Sequence, residues 1–348
     1  MNTIPEPVAD RGGPAQPLLI VRDLRKYFPL GGGARVHAVD GVSFAIAKGE
    51  TLGIVGESGC GKSTLARLLM QLMPRDGGEL ILDGDPVGGP HGVSVAAMRR
   101  QVQMVFQDSA SSLNPRLPVQ DSVAFGPRVH GHNRSAALAV AHAALRQVHL
   151  DPALIGPRYP HELSGGQKQR VNIARALAIG PRMVVLDEAV SALDKSVQAQ
   201  VLNLLVQLRR DLDLTYMFIS HDLAVVRHIS HRVLVMYLGQ VMEVGPVAEV
   251  FGQPLHPYTR ALLASRPSLD PARRTQSLPV SGDPPSPVDL PPGCRFAPRC
   301  PHAEAVCSAA APALAGPGGQ RGDHLAACLM HVPGSGHSQA AAGLESAA

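Results

Sequence analysis

An α/β fold built round a mostly parallel sheet is predicted by three features of this 348-residue sequence. Strand-like apolar runs alternate with helical patterns from Leu18 to about Arg260, the alternation that parallel strands and crossover helices require. Residues 51–55, 183–186 and 216–219 are almost wholly apolar, as strands covered on both faces are. Between the first of these runs and a helical pattern with Leu65, Leu68, Leu69 and Leu72 on one face lies a glycine-rich turn. It reads Gly56-Glu57-Ser58-Gly59-Cys60-Gly61-Lys62-Ser63-Thr64.

That turn fits the P-loop pattern, in which backbone N–H groups and a helix N-terminus face an anion. Lys62 is placed to reach the β- and γ-phosphates of a nucleotide, and Ser63 to hold Mg²⁺. The run 183–186 ends in Asp187, a carboxylate suited to the same cation, and Glu188 follows, placed to polarise an attacking water. Leu163-Ser164-Gly165-Gly166-Gln167 supplies a second anion cradle, with Ser164 as the cap of the next helix and two glycines exposing N–H groups.

Composition bounds the rest. With 45% hydrophobic residues the chain can bury a sizeable core, and its length suits about two domains. No apolar run approaches the roughly 18 residues of a membrane span. Glu6, Asp10 and the prolines near the N-terminus predict no signal peptide. A net charge of +4 from scattered basic residues, no tryptophan and 3% aromatic content predict no nucleic-acid partner. Five cysteines without an export signal predict no disulfide framework.

Along the chain, residues 1–17 are expected to be a flexible leader and 18–260 a nucleotide-binding domain. A helical subdomain is expected over about 107–180, with its clearest helix at 136–150 capped by Ser135. Residues 261–331 form a C-terminal extension. Ten prolines between 267 and 301, from Pro267, Pro271, Pro279 and Pro284 onward, rule out regular helix or central strand there and predict an irregular arm. Residues 332–348 are expected to be a disordered tail.

With these motifs in this order, the chain resembles the nucleotide-binding subunits of ABC transporters over about 18–260, and LSGGQ is that family's signature. The resemblance implies that Gln107 is the Q-loop glutamine, a sensor of Mg²⁺ and of the membrane subunit. It makes Ser191-Ala192-Leu193-Asp194 the D-loop and His221 the switch histidine at the γ-phosphate. Phe28, with Tyr27 as the other candidate, is the aromatic that stacks on adenine. It further implies a head-to-tail dimer, with ATP between the P-loop of one subunit and the LSGGQ of the other. Ala189-Val190 stand where the family often has Pro-Thr; neither of the replaced side chains carries the reaction, so activity is still expected.

Ser111-Ser112-Leu113-Asn114-Pro115-Arg116, His256-Pro257-Tyr258-Thr259 and Pro292-Gly293-Cys294-Arg295-Phe296 extend the likeness to ATPases of dipeptide/oligopeptide importers over about 18–331. Lys26-Tyr27-Phe28-Pro29-Leu30 and Arg158-Tyr159-Pro160-His161-Glu162-Leu163 are closer to the F-type than to the D-type subunit. The implied partners are a D-type ATPase, two transmembrane permeases and an extracytoplasmic peptide-binding protein, at the cytoplasmic face of a bacterial inner membrane. Importers of nickel, glutathione or opines share this ATPase type and stay open as alternatives. A nucleic-acid ATPase is a distant third, because the chain has one cassette and no long heptad segment.

Cys294, Cys300, Cys307 and Cys328 have five, six and twenty residues between them, which is not the spacing of a zinc ribbon. Four thiolates in an irregular arm suit a 4Fe–4S cluster, which members of the resembled subfamily with this pattern carry. Zinc and unliganded reduced thiols are the alternatives. Cys60 is read as a small apolar side chain without chemistry.

Overall fold

A computed structural model of the chain describes residues 16–108, 111–265, 285–320 and 322–340. Its first part runs β1 (Leu19–Pro29), β2 (Arg35–Ile46), β3 (Thr51–Val55), α1 (Lys62–Leu69), β4 (Gly77–Leu82), β5 (Asp85–Pro86), α2 (Val95–Gln101) and β6 (Val102–Val105). Four helices follow: α3 (Val119–Val129), α4 (Arg134–Gln147), α5 (Pro152–Ile155) and α6 (Gly165–Leu177). Then come β7 (Met183–Asp187), α7 (Lys195–Asp211), β8 (Thr215–Ile219), α8 (Leu223–Ile229), β9 (Arg232–Tyr237) and β10 (Gln240–Pro246). The last elements are α9 (Val247–Gly252), α10 (Pro257–Ala264), α11 (Ala305–Ala309) and β11 (Leu325–Ala326).

The strands make two sheets: an antiparallel one in the order β2-β1-β4-β5, and a larger one in the order β11-β10-β9-β3-β8-β7-β6. In the larger sheet β9, β3, β8, β7 and β6 pair in parallel, and β10 and β11 add an antiparallel edge. The three runs read as core strands are β3, β7 and β8, and every residue of each is buried. Parallel strands need helices on both faces, and two apolar clusters supply the two layers. Loops leaving the carboxyl ends of these strands gather at one edge, where open parallel sheets bind ligands.

Three local expectations are corrected. Leu72 does not extend the apolar stripe of α1. The helix stops in a Schellman turn, with Gln71 at φ 51°, its N–H on Leu68 O and the Leu72 N–H on Arg67 O, and Leu72 is exposed. Asn133, not Ser135, caps α4, accepting the Ala136 N–H at 2.9 Å. Within the expected disordered tail, 332–340 fold back: the buried His337 Nε2 meets His302 O at 3.0 Å, and Ser338 binds the Glu304 carboxylate. Most of the leader, Pro267, Pro271, Pro279, Pro284 and 341–348 lie outside the described residues.

The C-terminal arm is fixed to the sheet by a buried carboxylate. Glu243 of β10 is fully buried and accepts the N–H groups of Leu255 (2.9 Å) and His256 (2.8 Å), with His324 Nε2 at 2.7 Å. Burial pushes the Glu243 carboxyl up, but the bond from His324 and the backbone N–H groups outweigh it and hold its pKa below the usual value. A depressed native pKa stabilises the fold above the unfolded value of about 4.5, and that stability is lost as pH falls through the lower native value. Glu243→Gln is therefore expected to cost about 3 kcal/mol near neutrality and progressively less in acid. Thermal unfolding of both chains between neutral pH and about pH 3 checks this; a difference independent of pH contradicts it.

Candidate functional site

The glycine-rich turn leaves the end of β3 at the centre of the sheet and enters α1, as the pattern requires. Gly61 sits at φ +106°, and a Cβ there would lie 2.1 Å from Ala38 O, so only glycine closes this turn. Lys62 is buried, with Nζ 2.8 Å from both Gly56 O and Glu57 O. Ser63 Oγ donates to Asp187 Oδ1 at 3.1 Å, so α1 and the end of β7 meet as the motifs predict. Asp187 is 3% exposed, and burial raises its pKa against the opposing pull of Ser63.

Glu188 begins the loop after β7 in the left-handed region, at φ 48°, a conformation that costs a non-glycine residue about 1 kcal/mol. The turn is held by the Glu188 N–H on Ile219 O (3.0 Å) and by the Ser191 N–H and hydroxyl on Glu188 O. Its carboxylate is met from two sides: Gln107 Nε2 donates to Oε2 at 3.0 Å, and His221 Nδ1 lies 3.4 Å from the same oxygen. Residues from the ends of β6, β7 and β8 thus converge on one carboxylate.

LSGGQ forms the start of α6, with Leu163 buried and Ser164 and Gly165 exposed. Ser164 Oγ accepts the Gln167 N–H, and Gln167 Oε1 accepts the Ser164 N–H, a reciprocal capping box. Gly166 has a further role that the sequence did not reveal: a Cβ there would stand 2.4 Å from Val197 Cγ1, so glycine lets α6 approach α7. Among the described residues no hydrogen bond or ion pair joins 164–167 to 56–64. Asp194 commits its carboxylate to capping α7, accepting the Val197 N–H (3.0 Å) and the Ser196 hydroxyl (2.8 Å).

At the end of β1, Phe28 is exposed. Its neighbour Tyr27 is engaged, its hydroxyl on Asp40 and its ring 4.7 Å from that of His37. A groove of about 870 Å³ opens beside Gln107 and Asp187, walled by Phe106, Phe125 and Val129. In the arm, Cys294, Cys300, Cys307 and Cys328 all line one small pocket, and none is in a disulfide. Burial raises the thiol pKa of Cys294 and Cys300 and pushes Cys328 up to about 12. Among the described residues no three His, Cys, Asp or Glu stand close enough to hold a single ion.

A P-loop whose serine meets a strand-end aspartate, a following glutamate reached by a glutamine and a histidine, and an LSGGQ helix start together define an ABC-type ATPase. Residues 39–191 match the ABC transporter family, and 242–307 match the oligopeptide/dipeptide transporter C-terminal region. The chain is 48% identical to the probable peptide ABC transporter ATP-binding protein y4tS of Sinorhizobium fredii, over 85% of this chain and 86% of that one. It is 46% identical to the putative oligopeptide transport ATP-binding protein YkfD of Bacillus subtilis, over 86% of this chain and 92% of that one. The chain belongs to the ABC transporter ATP-binding proteins that carry the oligopeptide/dipeptide C-terminal region. Among solved structures, cbiO1 of Clostridium perfringens, part of the cbiONQ transporter complex, matches at 28% identity. Its TM-score is 0.60, over 68% of this chain and 91% of that one. The cassette MJ0796, a dimer in a post-hydrolysis state bound to ADP and Pi, matches at 26% identity. Its TM-score is 0.58, over 66% of this chain and 98% of that one.

Proposed function

We propose that the chain is the motor subunit of a peptide importer, an F-type ATPase whose binding and hydrolysis of ATP drive uptake of di- and oligopeptides through partner permeases. The observation that carries this reading is the oligopeptide/dipeptide C-terminal region on a complete cassette, in a chain whose 46–48% identical relatives are named for peptide transport. Lys62 and the N–H groups of 56–64 hold the phosphates. Phe28 is exposed whereas Tyr27 is engaged by Asp40 and His37, which supports Phe28 over Tyr27 as the adenine platform.

Ser63 hydroxyl, Asp187 carboxylate and Gln107 amide are hard oxygen donors, and a carboxylate as buried as Asp187 is one that a cation relieves. The residues therefore fit Mg²⁺, which when bound would neutralise charge on the β- and γ-phosphates. Glu188 takes a proton from water as its oxygen attacks the γ-phosphorus, and ADP leaves. His221 and Gln107, already on Glu188 Oε2, fix that carboxylate towards the γ-phosphate. Ser164, Gly165, Gly166 and Gln167, with the D-loop at Asp194, complete the ATP site of a D-type partner in a head-to-tail heterodimer. The apolar groove beside Gln107 receives the permease at the cytoplasmic membrane face, so that its occupation is felt at Glu188.

The four thiols fit an iron–sulfur group in donor type, and all four line one pocket. A zinc ion draws its sulfurs to about 2.3 Å of one centre, whereas a 4Fe–4S cluster spreads its cysteines over several irons. A spacing unlike that of a zinc ribbon and the four-thiol donor set support the cluster, which would tie together an arm with little regular structure. Chain purified without oxygen is expected to carry about four irons and broad visible absorbance, both lost in Cys328→Ser. Chain that carries no iron, with or without zinc, overturns this assignment.

Co-purification of tagged chain identifies the permeases. Growth on defined peptides with and without the chain tests the cargo. Peptide-dependent growth that survives deletion, with nickel uptake lost instead, would overturn the peptide reading.

A further inference from the structure

Glu57, the second residue of the P-loop, is gripped at all three of its polar groups. Its carbonyl accepts Lys62 Nζ at 2.8 Å. Its N–H donates to the Tyr258 hydroxyl at 2.9 Å, and its carboxylate takes Arg299 Nη1 at 3.1 and 3.0 Å. Lys62 belongs to the loop itself, but Tyr258 opens α10 and Arg299 lies in the cysteine arm, more than two hundred positions away in sequence.

Both outer holds are rigid. Tyr258 is 1% exposed, its ring 4.6 Å from that of Tyr237 and 5.4 Å from that of Phe296. Its place is fixed by His256 Nδ1, which accepts the Tyr258 N–H at 3.0 Å. The Arg299 guanidinium lies over the same Tyr237 and Phe296 rings and donates to the Tyr237 hydroxyl at 3.1 Å. Phe296 in turn lines the cysteine pocket with Cys294 and Cys300. The arm also grips the strand beside the adenine platform. Arg295 pairs with Asp40, the acceptor of the Tyr27 hydroxyl, and Pro287 O takes the His37 N–H at 3.0 Å.

We infer that Tyr258 and Arg299 are positioning residues for ATP: through Glu57 the C-terminal arm braces the P-loop in its phosphate-binding shape. The inference rests on the reading that residues 56–64 hold the phosphates. Its physical basis is the loop's glycine content. Gly56, Gly59 and Gly61 all take positive φ, and a loop of this kind has much backbone freedom to lose on binding. Lys62 holds the Gly56 and Glu57 carbonyls only until it turns to a phosphate. From then on Glu57 is kept from outside the loop by Tyr258 and Arg299, and within it by the Cys60 N–H on its carbonyl at 3.3 Å. A loop ordered beforehand binds more tightly, because the ordering cost is met in folding rather than in binding. The brace touches none of Glu188, Gln107 and His221, so it acts on ATP affinity and not on the bond-breaking step.

The test measures ATP affinity and melting temperature of the full chain, and kcat and KM for ATP in the assembled transporter. Tyr258→Phe removes the acceptor of the Glu57 N–H and is expected to raise the ATP Kd and KM by about 3- to 10-fold with kcat little changed. Arg299→Ala is expected to do the same. Arg299→Lys is expected to recover part of the loss, since it keeps the charge but loses the planar guanidinium that lies over the Tyr237 and Phe296 rings. In a Glu57→Gln background, Arg299→Ala is expected to add less than it does alone. A merely structural role would lower the melting temperature and leave the Kd of folded protein unmoved. Folded Tyr258→Phe with wild-type ATP affinity overturns the brace; if that variant does not fold, Arg299→Ala decides by the same criterion. Lys62→Ala separates the two readings. Should it bind ATP like wild type, the P-loop assignment falls and the brace with it. Should it lose ATP while folded Tyr258→Phe keeps full affinity, the brace alone falls.

Discussion

Glu188→Gln is expected to slow ATP hydrolysis in the assembled complex by about 100- to 10,000-fold while ATP binding survives. The amide keeps the size of the carboxylate and can still meet Gln107 and His221, which lie 3.0 and 3.4 Å from Oε2. It cannot accept a proton from water. The backbone at this position is held at φ 48° by Ile219 and Ser191, so the side chain is delivered by a turn that the substitution leaves in place. The phosphate contacts proposed for 56–64 lie elsewhere, and the closed nucleotide-bound dimer should accumulate. Turnover rate and retained nucleotide, measured on the same preparation, check both halves. Hydrolysis at the wild-type rate would remove Glu188 from the reaction.

Lys62→Ala is expected to fail one step earlier, raising the ATP Kd by about 10- to 100-fold. In its proposed role the buried Lys62 ammonium supplies the phosphates with charge-assisted hydrogen bonds that alanine cannot. The same nitrogen now bridges Gly56 O and Glu57 O, so its loss also loosens the turn that presents the N–H groups. Direct nucleotide titration of the folded variant checks this, and an unchanged Kd contradicts the assignment. The two variants fail differently: one binds without turning over, the other scarcely binds.

Much of this site was legible in the sequence, because its parts are short motifs with local mechanics. A glycine pattern between a strand and a helix fixes where Lys62 and Ser63 must stand, and an apolar run ending in Asp187-Glu188 fixes the carboxylates. β3, β7 and β8 were legible because strands buried on both faces carry an uninterrupted apolar signal. Helix ends were less so. Asn133 and Ser135 are both capping residues two positions apart, and composition cannot choose between them. The end of α1 depends on a left-handed turn at Gln71, a residue other than glycine, which leaves no mark in the sequence.

The arm was the least legible. Its proline content showed what it could not be, but not that Arg299 and Tyr258 would meet Glu57, because that meeting joins distant segments through aromatic packing. His256-Pro257-Tyr258-Thr259 read only as the start of an extension, whereas the Tyr258 hydroxyl takes an N–H of the P-loop. The fold-back of 332–340 was missed for a related reason. Small polar residues look disordered until a partner such as His302 O or Glu304 is brought to them by the rest of the chain.

Hydrolysis by this chain is expected to drive peptide uptake, and reconstitution puts that to the test. The chain, its ATPase partner, the permeases and the binding protein are placed in liposomes, and uptake of labelled di- and oligopeptides is followed with ATP on the chain's side. Uptake is expected to need ATP, to proceed with the wild-type chain and to stop with Glu188→Gln. Peptide uptake that continues unchanged with Glu188→Gln, or a complex that takes up only a non-peptide solute, would contradict the account.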